Sequence, residues 1–230
     1  MMHCKYLGSD QYFYGSVLHL IVTELLPHSP AENLVSVIEC MKLIYKDQDT
    51  RCRFRTLTLN MFKADLSGFP TLKGRGGELR DFGPVLREVW RHGMQSGVAW
   101  QQTVLDTLEA SCTIDELLHI HRDEFAFEGS TYESFFTATS TYCQSMQSLY
   151  RQGGRQVFNC TIKLHAVWHI GYNSKWENPR LSWCWMGEDF MNVCRTLLFS
   201  GSKGVKLDKV HHKALMKLTR AMEWQFKQCE

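Results

Sequence analysis

Residues 163–195 read KLHAVWHIGYNSKWENPRLSWCWMGEDFMNVCR and concentrate the chemistry of this chain. The block holds His165 and His169 four positions apart, an Asn178–Pro179 break, the acids Glu188 and Asp189, and four of the seven tryptophans: Trp168, Trp176, Trp183 and Trp185. Residues 162–170 have helical patterning, so the two histidines share one face, one turn apart. That spacing suits a metal. The zinc-peptidase pattern, however, demands Glu directly after the first His, and Ala166 stands there. With no third ligand at a matching distance along the chain, the residues alone favour core or supporting histidines over ligands. The tryptophans likewise read first as core. Pro179 ends whatever precedes it, because the residue before proline is pushed out of the helical region. A new helix is expected near Met186 or Gly187. Its first turn carries Glu188 and Asp189, where negative charge suits the helix dipole. The sharper reading makes one of these acids a ligand for a divalent metal.

Outward from that block, the 230 residues suffice for one large domain or two small ones. Hydrophobic content of 44% with 22% charged residues is that of a soluble globular chain. No apolar run reaches the roughly 18 residues of a membrane span, and residues 1–10, MMHCKYLGSD, lack the apolar core of a signal peptide. No membrane association is expected. Nine cysteines without a repeated C-x-x-C spacing read as reduced thiols of an intracellular protein. Charge is unevenly placed. Residues 151–230 carry 13 Lys and Arg against 6 Asp and Glu, whereas residues 1–150 carry 13 against 18. A basic C-terminal third attracts polyanions; an ordinary solvated helix face would give the same counts.

Helical patterning recurs along the whole chain. Asp10 is placed to cap a helix through Tyr14, Val17, Leu18, Ile21, Val22 and Leu25. Ser29, Pro30 and Glu32 open a second helix, with Leu34, Val37, Ile38, Met41 and Tyr45 as its apolar stripe. Residues 57–62 favour helix. Residues 68–77, GFPTLKGRGG, form a loop that lacks the phosphate-loop pattern. Residues 78–92 return to helix, which Pro84 should kink or divide. Two long amphipathic runs follow, 98–127 and 131–150. Between Asp106 and Glu133 lie eight acids and a single base, Arg122, expected as a solvated face or one that repels DNA. A hinge-like turn at 152–155 precedes the best strand signal, 156–162. A loop at 201–204 leads to a basic closing helix. The expectation is a mostly α chain of eight or nine helices.

Several pieces, in order, resemble the second half of a transposase of the CACTA type, in the DDE class built on an RNase H-like core. The opening MHCKYLGSDQYFYGSVL is similar to the segment just after that family's second catalytic Asp, with Met2–His3 as its Met-His pair. FPTLKGRGGELRDFGPVL resembles the family's Lys-rich helix opening, with Lys73, Glu78 and Arg80 at polar positions. SLYRQGG followed by NCTIKLHAVWHI is similar to its asparagine-x-H-x-x-x-H arrangement, and NPRLSWCWMGEDFMNVCR to the block that holds the third acid. The likeness runs from residue 1 to about residue 200.

The resemblance implies a helical insertion over residues 1–155 and a C-terminal remnant of an RNase H-like core over 156–230. It makes Glu188 the catalytic acid and a ligand for Mg²⁺ or Mn²⁺. His165, His169 and Lys163 become supporting or DNA-facing groups. Strand transfer in this class uses two metals about 3.5–4 Å apart, held by acidic side chains. This chain has neither of the first two acids in a matching context, so it is expected to be inactive alone. A missing N-terminal core or a partner chain would then complete it. DNA contact would run through Arg180, Arg195, Lys203, Lys206, Lys209, Lys213 and Lys217, and the location would be nuclear or otherwise intracellular. Two alternatives stand beside this one: a helical interaction module with tryptophan anchors, and a zinc-stabilised domain using His165, His169 and Cys160 or Cys184.

Overall fold

The computed structural model describes residues 1, 3–63, 68–152, 157–182, 195–196, 199–200, 204 and 206–227; within 206–227, the side chains of 207, 208, 214 and 221–227 are not described. The chain divides into two compact units, Met1–Ser182 and Trp183–Glu230. The division falls after the histidine helix, so residues 157–182 belong with the helices that precede them. The described residues form helices and no β-strand. The strand signal at 156–162 gives non-helical chain up to Thr161 and then helix. No helix among the described residues is long and apolar enough to cross a membrane.

In the first unit, α1 (Gln11–Leu20) is the axis. Its Phe13, Tyr14, Val17 and Leu18 are all fully buried, and Ile21 and Val22 continue the run. A helix apolar on every side must be wrapped by others. α3 (Gly76–Gly93), α4 (Ala99–Ile120) and α5 (Gly129–Gln152) reach it through Phe82, Ser111 and Tyr142, and α2 (Pro30–Asp47) to α6 (Ile162–Asn173) each pack on the next in sequence. Wide helical turns flank α1 at Lys5–Asp10 and Ile21–Leu25. The first packs on α3 and α6, the second on α2 and α3.

Local chemistry explains the joints. Ser29 caps α2 with Pro30 in the first turn, and the Ser29 backbone N–H donates to Glu32, a complete capping box. Buried Asn33 donates to the carbonyls of Val22, Leu26 and His28, which clasps the turn between α1 and α2. α3 runs through Pro84 undivided. Residues 59–61 form a single tight 3-10 turn. Two glycines mark close approaches. A Cβ on Gly15 would lie 2.6 Å from the backbone nitrogen of Leu72, which donates at 2.8 Å to the Gln11 carbonyl. A Cβ on Gly171 would lie 2.7 Å from Thr139 Cγ2, so α5 and α6 meet there with only the Thr139 side chain between them.

The second unit contributes helix α7 (Leu207–Lys227). The Lys217 ammonium donates to the carbonyl and hydroxyl oxygens of Ser200, which holds the helix to the segment before it.

Candidate functional site

The histidine helix turns out differently from the residue-level expectation. α6 buries Leu164, Val167 and Gly171 against α5 and the Lys5–Asp10 segment. His165 and His169 therefore fall on its exposed face, not in the core. Their Nε2 atoms are 2.9 Å apart and their rings are nearly perpendicular, at 87°. Lys163 donates to the Leu7 carbonyl at 3.0 Å, where the chain leaves helical geometry at Leu7 and Gly8. It secures the N-terminal segment. Glu188, Asp189, Trp183, Cys184, Trp185 and Lys203 lie outside the described residues.

Beside the histidines runs an aromatic ladder. Trp168 and Tyr172 stack with ring centroids 5.6 Å apart and planes 7° from parallel. Tyr132 and Phe136 of α5 stack likewise at 5.9 Å. Phe136 meets Trp168 and Tyr172 edge-on, and Tyr172 meets Trp176 in the same way. The Lys175 ammonium lies 4.1 Å from the Trp176 ring centroid and 4.6 Å from that of Tyr172, within cation–π range. Trp176 keeps 56% of its surface in solvent. These rings form a surface feature, not the core expected of tryptophans.

The basic candidates separate into two groups. Arg180 donates to the Leu118 carbonyl near the end of α4. Asn178 donates to the carbonyls of His121 and Glu124 there and accepts from the Arg180 backbone. Arg180 thus serves the carboxyl end of a helix, where a cation is favoured. Arg195 is exposed, with its guanidinium 5.6 Å from the Phe199 ring centroid. Lys206, Lys209, Lys213 and Arg220 are exposed and Lys217 is half-buried.

The densest cluster of chemistry lies elsewhere. The Lys5 ammonium donates at 2.9 Å to Asp10, to Ser111 and to Asp115, which uses all three of its protons. The second oxygen of Asp10 accepts from the Tyr142 hydroxyl at 2.8 Å, and that of Asp115 from the Tyr6 hydroxyl at 2.7 Å. Tyr14 and Ser111 share a further bond at 3.0 Å. Side-chain exposure is nil at Lys5 and Asp10 and 13% at Asp115. Burial raises the Asp10 carboxyl to about 6 despite the opposing ammonium, and raises Asp115 as well. Lys5 is held above its ordinary value by the two carboxylates, against the pull of burial. The ammonium sits between two carboxylates, the position a cation would take. The Lys5, Tyr6 and Tyr142 donors are all matched, so the cluster is a lock between the Lys5–Asp10 segment, α1, α4 and α5.

Asp10 was expected as a helix cap; it makes no capping bond and lies within continuous helical backbone. Asp115 belongs to the acidic run read as solvated. The available signal was its place in the buried stripe of α4, among Val104, Leu108, Ser111 and Leu118. Among the described residues no three His, Cys, Asp or Glu side chains converge on a metal position. Comparison with protein families, curated proteins and solved structures finds no match to this chain.

Proposed function

We propose that this chain is a DNA-binding protein of transposase descent that performs no strand transfer by itself and holds the phosphate backbone through helix α7. One observation carries the reading. Lys206, Lys209, Lys213, Lys217 and Arg220 recur every three or four residues in or beside a single helix. At about 100° per residue they fall within roughly 80° of arc and extend ~21 Å along the axis. A continuous basic stripe of this length matches a run of backbone phosphates and carries no base-reading specificity. Glu188 lies outside the described residues, and the Mg²⁺ or Mn²⁺ implied by the resemblance has no fitting donor set among them. The one carboxylate pair brought together around a cation position there, Asp10 and Asp115, is bridged by Lys5.

The test is fluorescence anisotropy of a labelled duplex across a salt series. Affinity should fall with salt at a log–log slope of about −3 to −5, and Lys209→Gln with Lys213→Gln should flatten it by about 2. No binding at low salt, or an unchanged slope in the double variant, would reject the reading. A nicking assay with Mn²⁺ should be blank for both the wild type and Glu188→Gln. A second reading, a helical interaction module, draws on the aromatic ladder around Trp176. It is favoured over DNA binding if Trp176→Ala weakens capture of a protein partner while the α7 variants do not.

A further inference from the structure

We propose that His165 and His169 form a two-nitrogen chelate on the exposed face of α6 for a divalent transition-metal cation of tetragonal preference, copper(II) foremost. The geometry supplies the argument. Two imidazole nitrogens bound to one metal at about 2.0–2.1 Å lie ~2.9 Å apart when the angle at the metal is 90°, and ~3.3 Å apart when it is tetrahedral. The observed Nε2–Nε2 separation is 2.9 Å. It matches the right angle of a square-planar or octahedral centre, which copper(II) and nickel(II) favour over zinc. Both histidines are exposed, so a hydrated cation reaches them without crossing the core and keeps water at its other positions. The backbone beneath is fixed: Leu164 and Val167 are buried, and Gly171 is pressed onto Thr139. Trp168 stands edge-on to the His169 ring at 5.3 Å and narrows its orientation. With one imidazole bound, the second finds the metal intramolecularly, which raises the joint affinity above that of either ring. Without metal the pair can share one Nε2–H; with metal both rings carry their proton on Nδ1. The proposal does not depend on the DNA reading, since it involves no residue of α7.

The experiment is copper(II) titration of the full-length protein with its accessible thiols alkylated, followed by electron paramagnetic resonance. One site is expected whose spectrum shows two equatorial nitrogens. His165→Asn and His169→Asn should each weaken it at least tenfold and leave a single-nitrogen signal. Because both side chains are exposed, the variants should keep the helical circular dichroism of the wild type. As a second readout, copper should protect His165 and His169 from carbethoxylation, mapped peptide by peptide. An identical spectrum and affinity in both variants, or no protection at either histidine, overturns the assignment.

Discussion

At the scale of single residues, Lys5 is the most consequential side chain in the molecule. Its ammonium, fully buried, separates one buried and one nearly buried carboxylate. Lys5→Met would leave Asp10 and Asp115 without their cation, and removing one partner of such a pair costs about 3–5 kcal/mol. Urea unfolding should show the loss. The pH dependence follows from Asp10, whose carboxyl is raised from the usual 3.8 to about 6 by burial. Between those values the folded chain keeps a proton that the unfolded chain releases. The stabilisation is therefore full below 3.8 and fades as pH rises through about 6, on the order of 2–3 kcal/mol in all. The urea midpoint of the wild type should drop between about pH 5 and pH 7.5 more than that of Asp10→Asn; equal drops would discount the group. Little of this was legible in the sequence. Lys5 and Asp10 are five apart, a spacing that does not face in an α-helix. It faces here because the segment combines i→i+5 turns with a kink at Leu7 and Gly8.

At the scale of elements, patterning specified most helices, and tertiary contacts specified which face of each is buried. Ser29, Pro30 and Glu32 announced the start of α2 because capping depends on neighbours in sequence. The apolar stripes of α3, α4 and α5 were likewise readable. α6 was not, because histidine and tryptophan fit either face of a helix, and Leu164, Val167 and Gly171 decide the matter only once α5 is beside them. Gly15 gave no sign of its role, since the Thr71–Leu72 backbone that touches it is more than fifty residues away in sequence. Gly15→Ala should lower stability by about 1–3 kcal/mol through overpacking against backbone that cannot rotate aside. Thermal unfolding measures this, and a neutral result would mean that the 69–73 loop gives way freely.

At the scale of the whole molecule, the buried lock and the proposed phosphate stripe fall on different units. All members of the Lys5 lock lie within Met1–Ser182, and the proposed phosphate stripe lies within Trp183–Glu230. A chain cut after Ser182 should keep a helical spectrum and a cooperative melt yet lose retention on DNA. A non-cooperative melt, or undiminished DNA affinity, would contradict that assignment of roles. The burial of α1 also has a bearing on biosynthesis. Its partners at Ser111, Tyr142 and Phe158 are made long after it leaves the ribosome. At about 5–20 residues per second, the nascent helix waits roughly 7–28 s for its last neighbour. During that wait an apolar rod stands uncovered, a natural client for a holding chaperone.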